Sequence, residues 1–116
     1  MEKEFIPYEQ ALALKELGFD EMCFGLYAPP SKTVFLHHYG LLRAKEQVLA
    51  PLYQQAFRWF REKGYDVKVQ KESEGLYFGF YWTGAAWITV GSGSYEEAEL
   101  ECLKKLIEIV KNNLNP

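Results

Sequence analysis

Hydrophobic and polar positions change period several times along this chain, and each change predicts an element. Over residues 8–17 good helix formers crowd together (Ala11, Leu12, Ala13, Leu14, Lys15, Glu16), and Pro7 suits a first helical turn. Gly18 fits the C′ position and Phe19 the C″ position, from which it closes onto Leu14, so the helix is expected to end in a Schellman motif. Residues 23–27 read as a short strand. Ala28-Pro29-Pro30-Ser31 must be loop, because consecutive prolines take donors out of a ladder. Residues 33–39, centred on Val34 and Phe35, read as a second strand, and the two strands suggest a hairpin.

The clearest element runs from Pro51, at a first turn, to Lys63. A 100° wheel gathers Leu52, Tyr53, Ala56, Phe57, Trp59 and Phe60 on one arc and sets Gln54, Gln55, Arg58, Arg61 and Glu62 opposite. Such a stripe at helical spacing is the core face of a helix before it is a cofactor box. Gly64 stops it.

The period then falls to two. Tyr65, Val67 and Val69 alternate with Asp66, Lys68 and Gln70, the pattern of a half-buried strand. With residues 72–75 all in the turn, Lys71 faces Leu76, Val69 faces Phe78 and Val67 faces Phe80. Tyr77, Gly79 and Tyr81 then point to the other side, together with Lys68 and Gln70. A third strand is expected over residues 85–90, in either of two registers. A two-residue turn sets Trp87 beside Phe80, whereas a three-residue turn sets Ile88 there and puts Trp87 on the Tyr77 and Tyr81 side.

The last helix carries its own start signal. Ser94 stands three residues ahead of Glu97, the capping-box spacing. Glu96, Glu97, Glu99 and Glu101 gather at the positive end of the helix dipole and Lys104, Lys105 and Lys111 follow, so this charge run has a structural cause. Its broad apolar arc (Leu100, Leu103, Ile107, Val110 and Leu114, with Ala98, Cys102, Leu106 and Ile109 beside it) predicts contact with the sheet and with something further, either the first helix or a second copy.

Composition narrows the function classes. The 116 residues are expected to form one domain around one core, with residues 1–46 (a helix and the suggested hairpin) preceding a unit over 47–116. A net charge of −3 gives no global field toward nucleic acid or an anionic membrane. The charged start, Met1-Glu2-Lys3-Glu4, does not read as a secretory signal, and no apolar run reaches a membrane span, so a cytoplasmic protein is the expectation. Cys23 and Cys102 lack a CxxC spacing and are expected as reduced thiols in or near the core.

The order of elements over residues 51–114, with the glycine-rich Val90-Gly91-Ser92-Gly93-Ser94 leading into the last helix, resembles the double-stranded-RNA-binding domain. The resemblance implies an α+β fold, helix-strand-strand-strand-helix, with an antiparallel sheet and helices on one face. In that family a serine and three lysines grip phosphates, and the matching positions here are Ser94, Tyr95, Glu96, Ala98 and Glu99. The first strand-to-strand loop, which in that family usually holds a proline and a histidine, is Glu72-Ser73-Glu74-Gly75. Acids at those positions turn phosphate attraction into repulsion, so the fold is expected without duplex RNA. Separately, residues 8–20 and 50–61 resemble segments of small uncharacterised proteins of bacteriophages and gut Bacteroidetes, a group that carries no assigned activity.

No catalytic residue, metal site or cofactor is expected. His37 and His38 are adjacent, so on a strand they face opposite sides and cannot chelate one ion. Nothing near Cys23 argues for an activated thiol. The Gly91-Ser92-Gly93 amides could cradle a phosphate, but Ser94 and Glu97 compete for those donors and the local charge repels anions. The best candidate for a working surface is the sheet face bearing Tyr77, Tyr81, Lys68 and Gln70, with Trp87 if the turn is bulged. Tyrosine and tryptophan dominate interface hot spots and can also stack bases. Residues 1–46 folded over that face would bury it instead, and the sequence leaves both open. The expected function is a non-enzymatic protein-interaction or accessory module with a protein partner or as a homodimer; the alternative is a single-stranded nucleic-acid binder.

Overall fold

The computed structural model describes residues 2–36 and 47–114. The expected strand over 33–39 therefore lies partly outside the described residues, and His37 and His38 lie wholly outside them. Backbone contacts divide the chain into two compact units, Met1–Gln55 and Ala56–Pro116.

In the first unit, a short 3-10 turn (Glu2–Glu4) precedes helix α1, Tyr8–Glu16, with Pro7 at its N-cap. The helix stops as its sequence predicts. The Phe19 N–H donates to Leu14 O at 3.0 Å and the Gly18 N–H to Lys15 O at 3.1 Å, and this Schellman pair requires the positive φ of 99° that Gly18 supplies. Strands β1 (Gly25–Tyr27), β2 (Phe35–Leu36) and β3 (Val48–Ala50) form an antiparallel sheet in the order β2-β1-β3. The β1–β2 pairing is the hairpin the sequence suggests. Strand β3 has no period to announce it. It exists because Leu49 pairs with Leu26 and Val48 with Tyr27, and all three of its residues are buried. Tyr27 anchors the core by donating its hydroxyl to Ile6 O at 2.8 Å, and its ring meets Tyr8 edge-on.

Helix α2 spans Tyr53–Glu62 and begins two residues later than the wheel predicts. The reason is tertiary: Pro51 O accepts the Ile6 N–H at 3.0 Å and Leu52 bridges to Phe5, so those two residues are extended. The aromatic stripe is core, as expected, with Tyr53, Ala56, Trp59 and Phe60 all buried.

The second unit follows the predicted order. Strands β4 (Val67–Ser73), β5 (Leu76–Trp82) and β6 (Trp87–Gly93) make an antiparallel sheet in sequence order, and helix α3 (Tyr95–Leu114) packs on it. The fold is α+β, with α2-β4-β5-β6-α3 in the expected succession. The capping box is present. Glu97 N–H donates to Ser94 Oγ at 3.1 Å, and Ser94 N–H donates to Glu97 Oε1 at 2.9 Å. The Ser94 backbone N–H, and after it the Ser94 hydroxyl, bond the ionised form and hold the Glu97 carboxyl below its ordinary value.

Register is where the structure departs from the alternation. The β4–β5 turn is not four residues long. Ser73 pairs with Leu76 across a two-residue tip, Glu74-Gly75, and Gly75 takes the positive φ of 74° the tip needs. Glu72 is the extra residue of a bulge, so Lys71 pairs with Tyr77, Val69 with Gly79 and Val67 with Tyr81. Each pairing is one residue away from the expected one, and a one-residue slip exchanges the faces. The β5–β6 turn matches neither expected register. Its tip is Gly84-Ala85, closed by the Thr83 N–H donating to Ala86 O at 3.0 Å, and Trp87 pairs with Trp82. A second bulge at Val90 lets Thr89 pair with Phe80 and Gly91 with Gly79.

Candidate functional site

Helix α3 chooses its side of the sheet by where the strands lack side chains. A Cβ on Gly79 would stand 2.7 Å from Cys102 Sγ and 2.9 Å from Ala98 O, and one on Gly91 would stand 2.6 Å from Glu101 Cβ. These glycines therefore face α3, and so does everything in register with them: Val67, Val69, Tyr77 and Tyr81. The Tyr77 ring meets Tyr95, the first residue of α3, edge-on at 5.5 Å. Burial and the nearby Glu99 and Glu96 carboxylates push the Tyr95 phenol above its ordinary value.

The predicted face is thus divided. Tyr77 and Tyr81 lie on the helix side of the sheet, whereas Lys68, Gln70 and Trp87 lie on the outer side. The shared surface expected of them does not form, because the Glu72 bulge shifts β4 by one position against β5.

The outer side holds a different aromatic set. Lys68 pairs with Phe80, Gln70 with Phe78, Trp82 with Trp87, Thr89 with Phe80 and Ser92 with Phe78, so these eight side chains share one face. Phe78 and Phe80 have ring centroids 6.3 Å apart along one strand, and the Trp82 and Trp87 rings lie 5.2 Å apart across the pair. The Lys68 ammonium hangs over two of these rings, 4.5 Å from the Trp87 centroid and 5.3 Å from that of Phe80. Trp82 and Trp87 remain 36% and 37% exposed, while Phe78 and Phe80 are half-buried. The hairpin end beside them is closed by polar groups: the Trp82 N–H donates to Asp66 O, and the Thr83 Oγ1 accepts the Ala86 N–H.

Phe78 and Phe80 are absent from the sequence-predicted site because the expected register sets them against Val69 and Val67, and Trp82 shares their side of β5. Two signals point the other way. Gly75 offers the positive φ that a tight hairpin tip needs. Gly79 and Gly91, on adjacent strands, mark the side where a helix backbone comes close.

Neither thiol has the surroundings of a nucleophile. Burial pushes the Cys23 thiol up to about 12, with the Glu21 charge adding to it and a Gln55 hydrogen bond opposing. Cys102 is pushed up to about 11, again chiefly by burial. Among the described residues no group of three or more His, Cys, Asp or Glu side chains converges to hold a metal ion, and no helix is long and apolar enough to cross a membrane. Comparison with family models, with curated proteins and with solved structures finds no match to this chain.

Proposed function

We propose that this protein is a small non-enzymatic interaction module, of the phage or prophage type its resemblance implies, that docks a protein partner on the outer face of β4-β5-β6. The observation that supports the reading is a pair of partly exposed tryptophans, Trp82 and Trp87, packed on each other beside Phe80 and Phe78. Clustered tryptophans with a polar rim are the composition of an interface hot spot, and here Gln70, Thr89 and Ser92 supply polar groups on the same face. The experiment is affinity capture with the full chain and with the Trp82→Ser, Trp87→Ser variant, after denaturant melts show that the variant is folded. A partner retained by the native chain and lost by the variant is the expected result. Equal recovery by both chains refutes the docking face.

A second reading, a single-stranded nucleic-acid binder, is favoured by the same rings, since bases stack on exposed aromatics with little regard to sequence. The charge on the face weighs against it. Lys68 is the one formal charge among the register-paired outer residues. One lysine neutralises about one phosphate, and the affinity of single strands then varies with salt only as roughly the −0.7 power. Titration with oligothymidylate, followed by tryptophan fluorescence, separates the two readings.

A further inference from the structure

We infer that the partner presents an acidic segment to this face, a carboxylate flanked by aromatic or aliphatic side chains; the inference rests on the docking reading above and names the chemistry of its partner. Three observations carry it.

Among the described residues, Lys68 is the only formal charge that strand pairing places on the outer side, with Asp66 just ahead of β4 at the edge of that face. Its ammonium makes no ion pair among the described residues. It is held instead against the rings of Trp87 and Phe80, at 4.5 and 5.3 Å from their centroids. Ring faces hold a cation without using up its hydrogen-bond donors, so the ammonium keeps N–H groups for an incoming acceptor. The tryptophans around it exclude water once a partner is seated, which strengthens a charge-assisted hydrogen bond made there.

The alternatives fit less well. A basic segment would be drawn by the overall negative charge and would then set a cation against Lys68. A second copy whose two-fold axis ran through this face would set the Lys68 ammonium near its own counterpart. Because the repulsion from the net charge is largely screened beyond a Debye length of ~8 Å, recognition acts at contact and shows in the dissociation rate.

The test uses the full chain and three probes: a short peptide with Glu-Phe-Glu-Phe in a Gly-Ser frame, the same peptide with Lys for Glu, and oligothymidylate. Binding is followed by tryptophan fluorescence and by surface-plasmon dissociation rates, with sedimentation of the free chain as a check on self-association. The expected result is binding of the acidic peptide, at least tenfold weaker for Lys68→Ala and for the lysine peptide, and retained by Lys68→Arg. Equal binding of both peptides, abolished by Trp82→Ser with Trp87→Ser, overturns the acidic partner and leaves the docking face standing. Binding indifferent to the tryptophans, or no binding of either peptide, overturns the inference, as does tighter binding of oligothymidylate or a dimer that occupies the face. Denaturant melts of each variant confirm that a lost signal is not a lost fold.

Discussion

Gly79 and Gly91 stand directly opposite one another on β5 and β6, and both face α3, where a Cβ on either would clash with the helix. The gap they leave is filled by Cys102, Ala98 and Glu101. A Cβ at Gly79 would meet a backbone carbonyl at 2.9 Å, which cannot turn aside as a side chain can. Gly79→Ala is therefore expected to cost about 1–3 kcal/mol, the usual range for overpacking. Gly91→Ala should behave alike, since Glu101 Cβ is tied to the helix. Equilibrium denaturant melts measure both, and a neutral Gly79→Ala would mean that α3 rides higher on the sheet.

The Ser94 cap is expected to contribute about 1 kcal/mol, read as the loss in Ser94→Ala. Its pH dependence has a definite sign. The folded-state Glu97 carboxyl lies below its ordinary value because Ser94 donates to it, so its contribution is complete above the ordinary glutamate range. It is lost as the pH falls through the lower folded-state value. In melts across the acid range, Glu97→Gln should flatten that part of the profile, and an unchanged profile would remove Glu97 from the cap.

Tyr77 is a packing residue of the helix side rather than part of an open face. Tyr77→Ala should lose the edge-on pair with Tyr95, about 0.5–1.5 kcal/mol beyond the area it uncovers. A double-mutant cycle with Tyr95→Ala isolates that coupling. Additive losses would show that the two rings do not support one another.

Both cysteines should resist thiol reagents in the native state. Cys102 is 0% exposed and Cys23 5%, and burial holds each thiol protonated well above neutral pH. At pH 8 a colorimetric thiol assay is expected to report almost no fast-reacting group until denaturant is added, when two appear. A fast native phase would identify a thiol that opens locally.

Duplex RNA is not expected to bind at moderate salt. Tyr95, Glu96 and Glu99 occupy the positions at the start of α3 where the resembling family grips phosphate, and the last strand-to-helix turn is closed on itself by Ser94 and Glu97. Gel shift with a duplex longer than about 16 base pairs, the span of such domains, checks this. Salt-dependent retardation would contradict it.

Local chemistry alone determined much of this protein. Gly18 with Phe19 and Leu14 states where α1 ends, Ser94 with Glu97 states where α3 begins, and the wheel of Tyr53, Ala56, Trp59 and Phe60 states which side of α2 is buried. These features act within a turn or two of chain, so neighbouring residues suffice to specify them. The strands β3 to β6 obey longer-range rules. Val48-Leu49-Ala50 becomes β3 only by pairing with β1, and the same pairing region draws Pro51 and Leu52 out of α2 toward Phe5 and Ile6. Tyr77 and Phe78 are equally apolar to a period-two reading, so alternation says that they face apart but not which one meets the helix. That choice falls to the bulges at Glu72 and Val90 and to the space over Gly79 and Gly91, where only one side of the sheet lets α3 approach. Lys68, Phe80, Trp82 and Trp87 share the outer face for that reason: strand register is fixed by packing across the sheet, and a shift of one residue exchanges its two sides.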